Sequence, residues 1–228
     1  MNDLAQNLIE ELQCETVFTI PILGGIPVSE AVVVTWIIMA VLVVVSFILT
    51  RNLKVDHISK RQAVAESIVT GLMKMVQGRV GEKGKAYVPY LTTVMLYIGV
   101  SNIIGLFGFK SPTKDLRVTV ALALMSIILI EAAGIYHKGV KRWLHGFVEP
   151  VAIVTPINIL EVVTKPLSLC MRLFGNVLGA FVIMELLKMI LPVGLPVVFS
   201  LYFDIFDGLL QAYVFVFLTS LYIDEITE

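Results

Sequence analysis

A guanidinium sits in one of the most apolar stretches of the chain, Arg172 in the run LCMRLFGNVLGA at 169–180. Arginine stays protonated in any protein site. It cannot easily pass protons on, but it attracts a carboxylate and keeps it charged. Other polar residues recur with it at helical spacing. Glu161, Lys165, Ser168, Arg172 and Asn176 are 4, 3, 4 and 4 residues apart, which at ~100° per residue confines them to about 80° of a helix. Farther on, Ser200, Asp204, Asp207 and Gln211 follow the spacing 4, 3, 4 and fall within about 60°. Glu185, Asp204 and Asp207 are titratable where Arg172 is not, and carboxyl groups in apolar surroundings can exchange protons. A permanent cation flanked by titratable acids suits stepwise ion transfer. It does not suit an open pore, which would leak.

The elements that carry these stripes belong in lipid. The 228 residues are 57% hydrophobic and 15% charged, with mean hydropathy +0.90, against about 45–50% apolar and about 25% charged for a soluble domain. A net charge of −1 offers no basic field for nucleic acid. Cys14 and Cys170 have neither disulfide nor metal spacing, and no metal or cofactor is expected. Residues 1–30 hold no Lys or Arg, so the positive n-region of a signal peptide is missing. No internal repeat is visible.

The expected architecture is all-α: a single polytopic membrane domain over 1–228, with an external head at 1–27 and spans at 28–50, 87–109, 116–136, 155–191 and 197–223. Between the first two spans, Ile58, Val64, Ile68, Leu72 and Met75 recur at helical spacing among basic residues. They predict an amphipathic helix at 57–78 on the membrane surface, the alternative being a linker helix packed on the protein. Segment 51–85 carries eight Lys/Arg, 110–117 three and 137–147 three. The positive-inside rule then places the head outside and the C-terminus in the cytoplasm. A helix through 155–191 would reach ~54 Å, beyond a ~30 Å hydrocarbon core. The last two helices must therefore tilt steeply as a hairpin or break, Pro166 being the candidate break. An Arg or Asp at mid-membrane costs about 2.5–3.5 kcal/mol on insertion scales, so such groups face protein or water and often mark an ion path. The plainer alternative is that the stripes glue the hairpin together, although neutral residues would suffice for that.

TPINILEVVTKPLSLCMRLFGN at 155–176 resembles the signature of the a subunit of F-type ATP synthase. YVPYLTTVMLYIGVSNIIGLF, SPTKDLRVTVALAL and LQAYVFVFLT resemble further stretches of that family in the same order, so the likeness covers nearly the whole chain. It implies a non-catalytic stator subunit beside a ring of c subunits, each carrying a membrane carboxylate. Two offset half-channels would reach the ring, with Arg172 between them. Ser168 and Asn176 match family polar positions beside the arginine, Gln211 the glutamine packed near it, and Asp204 a position where relatives often have Glu or His. The implied partners are the c-ring, the b subunits of the peripheral stalk, the F1 head indirectly, and the bilayer of a bacterial plasma membrane.

One departure stands out. Nine residues past the arginine, where many relatives have Glu or His, this chain has Phe181. Glu185, only ~40° round the helix, or Asp207 is the expected replacement, although Glu185 could instead pair with Lys188. Glu131, inside the third span, either lines a watery path or bonds a neighbouring helix. Lys165 is expected to pair with Glu161 at i, i+4, and Asp115 to cap the third span. Gly175 and Gly179 would let a partner ring approach. His137 and His145 have no expected ligand role. A self-sufficient transporter would show an internal repeat, and an intramembrane enzyme a nucleophile–base pair or metal ligands; neither signal is present. The coupling ion, H+ or Na+, is not fixed by the sequence.

Overall fold

The computed structural model describes residues 16–20, 26–51, 53–54, 59–107, 109, 111–148, 152–190 and 194–227. Two short strands, β1 (Thr16–Ile20) and β2 (Ile26–Ser29), pair antiparallel ahead of the first span. The β-branched and aromatic residues of TVFTI and the Ile and Val of IPVS account for them, an addition to the expected all-helical elements. The rest is helical: α1 (Glu30–Thr50), α2 (Lys60–Gln77), α3 (Val88–Ile103), α4 (Leu116–Lys138), α5 (Val140–Gly146), α6 (Thr155–Ile190), α7 (Leu195–Ser200), a π-helical segment (Leu201–Asp207) and α8 (Gly208–Thr227). Five helical stretches are long and apolar enough to cross a membrane. They correspond to the five expected spans.

The core lies where α3, α4, α6 and α8 meet. Leu91 and Ile98, Ile130, Leu169 and Leu173, and Phe215 and Ile223 fill it, all fully buried. By contrast α1 buries only Ala31, Val34 and Ile38 along one edge. Its remaining apolar surface faces outward, as expected of a helix whose solvent is lipid.

Helix α2 is capped by Ser59, whose hydroxyl accepts from the Gln62 N–H at 3.3 Å. Its Leu72 and Met73 pack on the core, while Val64 and Ile68 are 60% and 54% exposed. Val76 is buried in the core as well, so the helix is seated on the bundle along one side and open along the other. Ile58 lies outside the described residues.

Helix α6 runs unbroken for 36 residues with Pro166 inside it. The proline removes one N–H that would have bonded the Val162 carbonyl, yet packing carries the helix through, so of the two alternatives α6 takes the long unbroken one. At ~54 Å α6 exceeds a bilayer core and has to run obliquely. The last span departs from expectation, because its 201–207 portion is π-helical rather than α-helical. Wheel angles at 100° per residue do not carry through that segment.

The bundle has two chemically distinct ends. At one, the Gly81 N–H donates to Asp224 Oδ1 at 3.0 Å and Lys83 Nζ to the Thr227 carbonyl at 2.7 Å. Lys165 Nζ lies 3.2 Å from Glu225 and 3.4 Å from Glu161. The acidic tail of α8 is thus held against the basic segment 79–85 and Lys165. At the other end, Ser29 Oγ donates to Asp115 Oδ2 at 2.9 Å, tying the start of α1 to the start of α4. Asp115 Oδ1 also accepts from the Arg117 N–H at 2.9 Å, the expected helix cap.

Candidate functional site

The site is assembled by a buried polar knot between α3 and the turn Pro112–Lys114. Asn102 Nδ2 donates to the Gly208 carbonyl at 2.9 Å, and its Oδ1 accepts from Thr113 Oγ1 at 2.7 Å. Ser111 Oγ donates to the Ser101 carbonyl at 2.7 Å. Gly208 is required at this crossing, since a Cβ there would lie 2.8 Å from Asn102 Cβ. The knot holds the 111–114 turn and the π segment on either side of a cavity of about 370 Å3.

Into this cavity face Glu185 and Asn176 from α6, and Asp204 and Asp207 from the π segment, with Ser200 and Lys114 on the rim. Phe181, Met184 and Phe203 form apolar parts of its wall. Asn176 Nδ2 donates to Asp207 Oδ2 at 2.6 Å, joining the two polar stripes by one charge-assisted bond. Lys114 Nζ stands 4.0 Å from the centroid of the Phe181 ring. Lysine 114 had drawn no attention in the sequence. Its signal was a cation two residues after a proline in the loop before a span, indistinguishable there from ordinary positive-inside charge.

Arg172 does not line the cavity. It is exposed on α6, while Leu169 and Leu173 of the same helix are buried, and among the described residues it forms no hydrogen bond or ion pair. Four residues separate it from Asn176, so it lies about 6 Å, one helical turn, beyond the cavity's inner end. Ser168 is exposed beside it, and a Cβ at Gly175 or Gly179 would meet nothing within 4 Å. This face is open and carries a cation.

The first predicted stripe therefore divides into three parts. Asn176 joins the cavity, Ser168 and Arg172 stay on the open face, and at the other end Lys165 pairs with both Glu161 and Glu225. The second stripe also splits. Ser200, Asp204 and Asp207 line the cavity, but Gln211 is 4% exposed in the core of α8, its Nε2 without a partner among the described residues. The π segment changes the angular step among Ser200, Asp204 and Asp207, while Gln211 lies one turn of regular helix past Asp207, beyond the last residue that lines the cavity. Both candidates for the role vacated at Phe181 line the same cavity as Phe181 itself. The Lys188 side chain, the alternative partner for Glu185, lies outside the described residues. Glu131 accepts from Trp143 Nε1 of α5 at 2.9 Å, the neighbouring-helix bond of its two readings. His137 makes edge contacts with Tyr87 and Tyr136. Among the described residues no group of His, Cys, Asp and Glu is arranged to hold a metal ion.

An exposed arginine one turn from an acid-lined cavity, on a membrane helix bundle, agrees with what the chain is similar to. The family described as ATP synthase A chain matches residues 32–224. ATP synthase subunit a of Moorella thermoacetica is 35% identical over 88% of this chain and 92% of its own length. The sodium ion specific ATP synthase subunit a of Propionigenium modestum is 35% identical, covering 87% of this chain and 74% of its own. ATP synthase subunit a 1 of Crocosphaera subtropica is 30% identical over 87% and 86%. With most of its length matched, the chain belongs to the ATP synthase A chain family.

Proposed function

We infer that this chain is the non-catalytic stator of an ATP synthase membrane sector, carrying ions to and from the carboxylates of a c-subunit ring. The observation that supports it best is the cavity that ends at Asn176–Asp207, one turn short of an exposed arginine that has no ion-pair partner among the described residues. Arg172 faces outward, so the carboxylate it attracts belongs to another chain. Exposed Ser168 and Gly175 and half-buried Gly179 leave room for that chain's helix to come close.

The cavity is the outer half-channel. Glu185 is its outermost acid, about 20 Å above Arg172 along α6; Asp204 and then Asp207 lead inward. Arg172 separates this path from the inner one, whose polar lining is Glu161, Lys165 and Glu225. An ion therefore crosses only by riding the ring past the arginine. Gln211, a buried donor with a spare N–H, stands in reserve on α8. The basic end of the bundle, which includes the acidic C-terminal tail held by Lys83 and Lys165, is cytoplasmic. The N-terminal strands and the cavity mouth lie outside, in a bacterial plasma membrane. The b subunits of the peripheral stalk hold the stator, and the F1 head receives the rotation. The chain acts as one membrane domain over 1–228.

Protons are the coupling ion in this reading. Sodium is the second reading, carried by the name of the Propionigenium relative.

Inverted membrane vesicles bearing the assembled complex with Arg172→Ala test the function. ATP-driven acidification should vanish while the subunit still copurifies with the ring and the soluble head. Full acidification without the arginine would make the polar residues structural glue and end this reading. The same vesicles, assayed for sodium uptake resistant to protonophores, separate the two ions.

A further inference from the structure

Lys114 is a charged residue at the cavity that the mechanism above does not use. Its place is fixed from both sides. Ser111 and Asp115, which flank the Pro112–Lys114 turn, are both buried. Each is hydrogen-bonded, Ser111 to the Ser101 carbonyl at 2.7 Å and Asp115 to Ser29 at 2.9 Å. The backbone adds Lys114 N–H to the Ser111 carbonyl at 3.1 Å. From this anchored turn the ammonium reaches over the Phe181 ring, 4.0 Å from its centroid. An aromatic face attracts a cation through its quadrupole, so Phe181 seats the lysine at the position where an acid was expected.

The charged groups facing it across the cavity are Glu185 from α6 and Asp204 and Asp207 from the π segment; α3 contributes uncharged Asn102. Three carboxylates and one ammonium share walls made partly of Phe and Met side chains. In such a low-dielectric setting a single charge acts strongly on its neighbours. An ion path has to bind well enough to be entered and weakly enough to be left. Three acids without a counter-charge would hold a cation too long.

We propose that Lys114 is the positioning residue of the outer cavity, a fixed counter-charge that keeps the three acids from retaining the ion and so sets the rate at which it reaches the ring. This rests on the half-channel reading above. Phe181 is part of the same device: it vacates an acid position and provides the ammonium's seat.

The test uses the whole complex reconstituted in liposomes, with ion-driven ATP synthesis measured against proton concentration on the cavity side. Lys114→Gln and Lys114→Met remove the charge, and methionine keeps the chain's length and apolar contact with the ring. Both should lower the maximal rate roughly tenfold, the effect of one strong neighbouring charge. Both should also reach half-maximal rate at a lower proton concentration, because the ion is held more tightly. Lys114→Arg should restore both quantities. Wild-type behaviour of the neutral variants overturns the proposal. So does a slower rate with unchanged half-saturation, or Lys114→Arg as slow as Lys114→Gln, since each would show a packing role. Failure of both neutral variants to assemble while Lys114→Arg assembles would assign the lysine to folding and equally overturn it. Arg172→Ala in parallel separates the levels. If transport survives that change, the half-channel reading itself is wrong; if it is abolished and only the lysine variants behave as wild type, this inference alone falls.

Discussion

Replacing Asp207 by asparagine separates the clasp seen in the structure from the carrier role proposed for the same side chain. Asp207 Oδ2 accepts from Asn176 Nδ2 at 2.6 Å, and both residues are half-buried. As a clasp between α6 and the π segment, the bond is a hydrogen bond to a charged acceptor, about 1.5–3 kcal/mol, against about 0.5–1.5 kcal/mol for a neutral pair. Asp207→Asn keeps an acceptor oxygen of the same shape in the same place. The clasp then loses only ~1 kcal/mol. If Asp207 were a clasp alone, transport would fall by less than about tenfold. If it is the innermost carrier, losing the exchangeable proton costs at least about a hundredfold, the lower end of acid–base contributions. The assay is ATP-driven acidification of inverted vesicles, with copurification of the ring and head as the control for assembly. Asn176→Ala supplies the complementary perturbation, since the acid remains while its partner is gone, and a loss of roughly tenfold is expected. Because both act on one step, the double variant should be no worse than Asp207→Asn by itself. Acidification above half the wild-type rate in Asp207→Asn would refute the carrier role and leave Asp207 as a clasp.

The remaining predictions concern two glycines with opposite surroundings. Gly208→Ala places a Cβ 2.8 Å from Asn102 Cβ and should destabilise the subunit by about 1–3 kcal/mol through overpacking, read as earlier thermal dissociation of the purified complex. An unchanged melting profile would mean that the α3–π crossing is not tightly held. A Cβ at Gly179 would meet nothing within 4 Å in this chain, which leaves space there for the longer side chain of Gly179→Leu. That substitution should leave the subunit folded and membrane-inserted but prevent its copurification with the ring; normal assembly would show that this face does not receive a close-packed helix.

Much of this protein is dictated locally. Long apolar runs have one stable solution in lipid, the helix, because every backbone polar group must be bonded within its own segment. That is why the five spans were legible from Glu30–Thr50 to the last helix. Capping by Asp115 and the i, i+4 pairing of Glu161 with Lys165 are likewise written in residue order. Arg172 announced itself because a guanidinium in an apolar run is costly. The tertiary structure decided what these residues share. Regular wheel angles put Gln211 in line with Asp204 and Asp207, yet Gln211 is buried in the core one turn past the cavity, and the residues before Asp207 follow a π-helical backbone that spacing alone does not reveal. The continuity of α6 through Pro166 was decided the same way, by neighbours that outweigh one lost hydrogen bond. The meeting of Lys114 with Phe181, 67 positions along the chain, has no periodicity to betray it. Helical spacing reports only which residues share a face of one helix. Which face meets which, and so where a cavity forms and which acids line it, depends on contacts between segments far apart in sequence.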